Sequence, residues 1–104
     1  MDFQQKAAAL NALSEITIKC RGATDWYVSQ RVRIIEGPMV KCVSGNGTTP
    51  EAAVLDHWEE LVDNLNSDEY LAVDALSEHR RVVRWNGFMW ADVKEPEAIG
   101  PLNR

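Results

Sequence analysis

The sequence predicts an α+β protein: an antiparallel sheet with two helices packed on it, in the order α-β-β-β-α-(β)-β-β. Three observations carry this. Apolar residues alternate with polar ones through much of residues 15–44. A helical apolar stripe follows Thr49-Pro50. Asn86-Gly87 separates two β-rich runs near the end. The chain has 104 residues, and domains commonly run to about 100–150. Residues 1–94 are therefore expected to form one domain, with residues 95–104, which hold Pro96, Gly100 and Pro101, as an irregular tail.

Residues 2–13 read as a helix, because Phe3, Ala7, Leu10 and Leu13 recur at helical spacing and Ala7 to Ala9 are strong helix formers. In residues 15–21 the period becomes two. Ile16, Ile18 and Cys20 share one phase, as in a half-buried strand that Gly22 ends. Residues 27–35 read as one further strand, with Val28, Val32 and Ile34 set against Arg31 and Arg33. Glu36-Gly37-Pro38 is a turn signal, and residues 39–44 return as a third strand of a meander. Cys20 and Cys42 fall on apolar phases and are expected to be buried thiols.

Gly45-Asn46-Gly47 reads as the break after the meander. Thr49 can cap the next helix with Pro50 in its first position, or Thr48 and Glu51 can form a capping box, so the start is uncertain by one residue. Val54, Leu55, Trp58, Leu61, Val62 and Leu65 make its apolar stripe. Asn64 to Ser67 end it. Residues 69–76 alternate as a strand, with a second short helix as the alternative. Residues 80–85 and 88–93 form a hairpin. If Asn86-Gly87 is a two-residue type I′ turn, Trp85 faces Phe88, Val83 faces Trp90 and Arg81 faces Asp92. Trp85, Phe88 and Trp90 are then expected to lie buried against the second helix near Trp58.

The net charge is -5 and is laid out unevenly. Residues 48–78 carry nine acidic side chains and no Lys or Arg, whereas the segments on either side, 1–47 and 79–94, are net basic. Such a field favours cationic partners and repels a nucleic-acid backbone nearby. A solvated face that aids solubility is the simpler reading. No run reaches the roughly 20 apolar residues of a membrane helix, and the N-terminus lacks the pattern of a secretory signal. A cytoplasmic protein without membrane attachment is expected.

Catalysis finds little support. His57 lies beside the apolar stripe and His79 in a turn, neither next to a nucleophile. Two cysteines and two histidines offer no metal-ligand spacing, and no phosphate loop is present. The expectation is no enzyme, no metal and no cofactor. The candidate binding residues are the acidic helix face, Glu51, Asp56, Glu59, Glu60 and Asp63. The alternative set is Arg80, Arg84, Trp85 and Trp90, where arginines would hold phosphates and aromatic rings would stack bases.

Two resemblances bear on function. Gly45-Asn46-Gly47-Thr48-Thr49-Pro50-Glu51-Ala52-Ala53 resembles the strand-to-helix junction of HicB-type antitoxin domains, which implies an antitoxin-like regulatory module. The compact acidic chain ending in Arg84-Trp85-Asn86-Gly87-Phe88-Met89-Trp90 is similar in character to small bacteriophage accessory proteins. That likeness implies a phage-encoded binding protein that blocks a host or defence complex, CRISPR effectors included, in the host cytoplasm. Such a partner would offer a cationic surface to the acidic helix. Nucleic acid is the less favoured partner, and a homodimer through open strand edges is a third class.

Overall fold

A computed structural model describes residues 1–94, and the tail expected at 95–104 lies outside the described residues. The α+β class is as the sequence predicts and the order of elements matches roughly, with five strands between the helices where three were expected and two sheets in place of one. Helix α1 spans Phe3–Leu13. Strands β1 (Thr17–Gly22), β2 (Asp25–Ser29), β3 (Val32–Glu36), β4 (Met39–Cys42) and β5 (Gly45–Gly47) come next. Helix α2 spans Pro50–Trp58 and continues into a π-helical turn at Glu59–Asp63. Strands β6 (Tyr70–Val73), β7 (Arg81–Trp85) and β8 (Trp90–Asp92) complete the fold.

The strands divide between two antiparallel sheets, ordered β1-β2-β5 and β4-β3-β6-β7-β8. Residues 27–35 are thus two strands in different sheets, joined through Gln30 and Arg31. The Gln30 side chain explains the break. Its amide nitrogen donates to the carbonyls of Leu10 and Ser14, each at 2.6 Å, which pins the chain to the end of α1. Gly45-Asn46-Gly47 is no break but a strand paired with Trp26 to Val28. Glycine is required there because α2 lies directly on it. A Cβ on Gly45 would meet the Ala53 carbonyl oxygen at 2.1 Å, and one on Gly47 would meet the Ala52 Cβ at 2.6 Å.

Both helices pack on one face of the five-stranded sheet. The main core joins Leu10 and Leu13 of α1, Val54, Trp58 and Leu61, Val28 of β2, and Val32, Ile34, Leu71, Val83 and Trp90 of the larger sheet. On the opposite face, Ile35, Tyr70, Ala72 and Val82 form a second buried cluster. The ambiguous residues 69–76 contain β6, which is central to the larger sheet and buried at Tyr70, Leu71 and Ala72.

Two expectations about the first hairpin are overturned. Strand β1 is exposed along its whole length, as an edge strand of the smaller sheet. Ile18 is consequently exposed and Ile16 only half-buried. Cys20 and Cys42 are exposed free thiols and not buried ones, since each lies on an edge strand.

The last hairpin forms with a different register. Trp85 faces Trp90, Arg84 faces Ala91 and Val83 faces Asp92. A type I′ turn needs positive φ at both central residues, and only Gly87 of the Asn86-Gly87 pair has it. The Asn86 Oδ1 instead accepts from the N–H groups of Phe88 and Met89, each at 2.9 Å, and the Asn86 N–H donates to the Met89 carbonyl. The turn therefore closes over four residues, and Phe88 is left 91% exposed at its tip instead of buried. Trp90 is buried as expected, and Trp85 is half-buried. Their rings stack edge-to-face with each other at 5.0 Å and with Trp58 at 6.1 and 5.2 Å respectively.

Candidate functional site

The acidic face is built on a firmly started helix. The Thr49 side chain accepts from the Ala52 N–H at 3.0 Å and Pro50 occupies the first helical position, so Thr49 and not Thr48 is the cap. Glu51 lies in the first turn, where the helix dipole favours a carboxylate. Beyond Trp58 the winding widens, and the Asn64 N–H donates to the Glu59 carbonyl, five residues back, at 2.7 Å.

The five carboxylates do different things. Asp56 accepts from the backbone N–H of Asn46 at 2.8 Å and so stitches α2 to β5. Glu60 accepts from the Asn64 side chain at 3.4 Å and is half-buried. Glu51, Glu59 and Asp63 are exposed, and their side chains make no hydrogen bond or ion pair among the described residues. They are unneutralised charges on a rigid support.

The alternative set is divided by the sheet. Trp85 and Trp90 face the helices, where the Trp90 indole donates to the Ala9 carbonyl at 2.8 Å. Arg84 points to the opposite face, beside Tyr70 and in phase with Arg80, because neighbours along a strand alternate. The Arg84 guanidinium donates to the carbonyls of Asn66, Ser67 and Glu69, closing the loop before β6. Arg81 pairs with Asp92 at 3.1 Å despite the slipped register. Arg84 and the two tryptophans therefore do not share one surface, whereas Arg81 lines a groove together with Trp85 and Trp90.

Two polar arrangements carried no sequence signal. Glu69 is buried, yet its carboxylate is paired with Lys41, whose Nζ lies 2.8 Å from its Oε2, and accepts from the Asn66 N–H on its Oε1. These bonds hold its carboxyl below the usual range. His57 is fully buried with its Nε2 3.0 Å from the Gln30 Oε1. Since the Gln30 nitrogen serves Leu10 and Ser14, its oxygen is the acceptor and His57 donates from Nε2. One glutamine thereby joins α1, the crossing between sheets, and α2.

Burial lowers the His57 pKa to about 4, with Asp56 opposing the shift. The imidazole stays neutral in the folded state while an unfolded one takes up a proton below about 6.5. Folding stability contributed by His57 is therefore fully present above pH 6.5. It declines as pH falls towards 4 by up to about 3 kcal/mol. Urea titrations at several pH values will show this slope in the parent. His57→Gln, which keeps a donor, will flatten it.

Among the described residues no group of three or more His, Cys, Asp or Glu side chains is placed to hold a metal ion, and no helix is long and apolar enough to cross a membrane. No protein-family model matches the chain, and neither a curated protein nor a solved structure matches it.

Proposed function

We propose that this chain is a non-enzymatic binding module. It docks Glu51, Glu59, Glu60 and Asp63 onto a cationic surface of a partner complex, in the manner of phage-encoded inhibitors of host or defence complexes. The observation that supports the reading is the set of exposed carboxylates at Glu51, Glu59 and Asp63, none neutralised by a described residue, on a stretch that holds no Lys or Arg from residue 48 to 78. Unpaired charge of one sign on a rigid element steers a complementary surface and is weakened by salt. Asp56, engaged with Asn46, holds the ridge in place and does not itself recognise the partner.

The test is capture from bacterial lysate by the parent and by the triple variant Glu59→Lys, Glu60→Lys, Asp63→Lys. Thermal melting of both chains checks that the fold survives. A partner held by the parent should be lost from the variant and should weaken as ionic strength rises. Equal capture by both would remove the acidic ridge from the binding surface. Low-salt titration with single-stranded and duplex oligonucleotides runs beside it, and saturable binding there would transfer the function to the arginine-bearing face.

A further inference from the structure

The junction between the two sheets holds two adjoining clefts that share Arg31 and Asp74. The first, of about 580 Å³, is walled by Ser14, Glu15 and Thr17 on one side and by Ser29 and Gln30 on the other. The second, of about 370 Å³, adds Arg33 and the turn at Ala75 to Ser77. Both volumes suit a small molecule. No aromatic side chain lines either cleft, so nothing is offered for stacking a nucleobase.

Gln30 is engaged, but the arginines there are uncommitted among the described residues. The side chains of Arg31 and Arg33 make no hydrogen bond or ion pair among the described residues. Arg33 lies on β3 and Arg31 immediately before that strand, at the crossing between the sheets, and both line the second cleft. Asp74 sits at the shared wall with φ of +52°, a left-handed conformation that Asp tolerates better than most residues. Its N–H donates to the Arg31 carbonyl at 3.0 Å, and its own carbonyl accepts from Ser77 at 2.8 Å. The backbone on both sides of the shared wall is thus fixed, and Gln30 anchors the floor to α1.

We infer that this double cleft binds a small phosphorylated polyol, a sugar phosphate being the simplest. The guanidinium forks of Arg31 and Arg33 match phosphate oxygens. The carboxylates of Asp74 and Glu15 and the hydroxyls of Ser14, Thr17 and Ser29 match the hydroxyl groups of the remainder. A bare anion would gain nothing from the two carboxylates, whereas a hydroxylated one uses both halves of the site. The site stands on elements other than the acidic ridge and does not depend on that ridge's role.

Amide NMR titration tests this with ribose 5-phosphate, inorganic phosphate and ribose as separate probes. Saturable shifts are expected at residues 29–33 and 74–77 with ribose 5-phosphate, weaker ones with phosphate, and none with ribose. Arg31→Gln and Arg33→Gln, at exposed or half-buried positions, should each lower affinity for ribose 5-phosphate about tenfold, the loss of one charge-assisted contact. Asp74→Asn keeps the left-handed backbone. It should weaken ribose 5-phosphate while strengthening inorganic phosphate. The inference is overturned if millimolar ribose 5-phosphate leaves these amides unmoved. Shifts that track every Lys and Arg alike, or an Asp74→Asn change that moves both anions in the same direction, overturn it as well.

Discussion

Replacing Trp90 by alanine should cost about 3–5 kcal/mol of folding stability, a large share of the 5–15 kcal/mol typical of a domain. Trp90 is 6% exposed, stacks against both Trp58 and Trp85, and donates its indole N–H to the Ala9 carbonyl. The substitution removes one ring of that mutually packed trio and leaves a helix α1 carbonyl without its donor. For a chain of this size each kcal/mol moves the midpoint by roughly 4–8 °C, so thermal melting should fall by well over 10 °C on that scaling. Phe88→Ala in the same hairpin should leave the midpoint unchanged, because Phe88 packs on nothing that its removal would expose. Comparable melting of Trp90→Ala and the parent would show that the three rings are not a structural unit.

Gly45→Ala should be nearly as damaging, although it adds only one methyl group. That methyl would lie 2.1 Å from the Ala53 carbonyl oxygen and 2.7 Å from the His57 backbone nitrogen. These are backbone atoms of α2, so the helix must lift from β5 for the methyl to fit. Overpacking commonly costs 1–3 kcal/mol, and a clash with backbone belongs at the top of that range, about 3 kcal/mol. Chemical denaturation measures it directly. Lifting the helix also strains the Asn46–Asp56 bond and the His57–Gln30 bond, so the loss should be accompanied by weaker protection of the Asn46 amide. A Gly45→Ala protein as stable as the parent would mean that helix and strand do not approach this closely.

These two positions show where the sequence was readable. The start of helix α2 was legible to within one residue because it is local: Thr49 accepts from the Ala52 N–H and Pro50 takes the first helical position. The apolar stripe and the exposure of Glu59 and Asp63 arise from winding alone. The hairpin's two faces were legible from alternation, and a two-residue slip preserves them. Its register was not, because the Asn86 side chain competes with the turn its own dipeptide suggests. Gly45 and Gly47 look like punctuation in sequence, and their real role depends on a helix that arrives afterwards in the chain. The cleft at Arg31, Arg33 and Asp74 was illegible for a similar reason. Ser29-Gln30-Arg31 contains no Gly or Pro to mark a change of sheet, so Arg31 and Arg33 read only as the polar phase of a single long strand.

The wide turn at Glu59–Asp63 has a consequence for any attempt to copy the acidic ridge. A π-helical turn acts like one residue inserted into an α-helix, displacing the residues beyond it by about 100° around the axis. Glu51 therefore stands on one pitch, and Glu59, Glu60 and Asp63 on another. A synthetic peptide of residues 50–63 stapled into an ideal α-helix would carry the same charges in a different pattern. The pattern belongs to the folded chain, in which burial of Trp58 and Leu61 on either side of the change in pitch sets the phase.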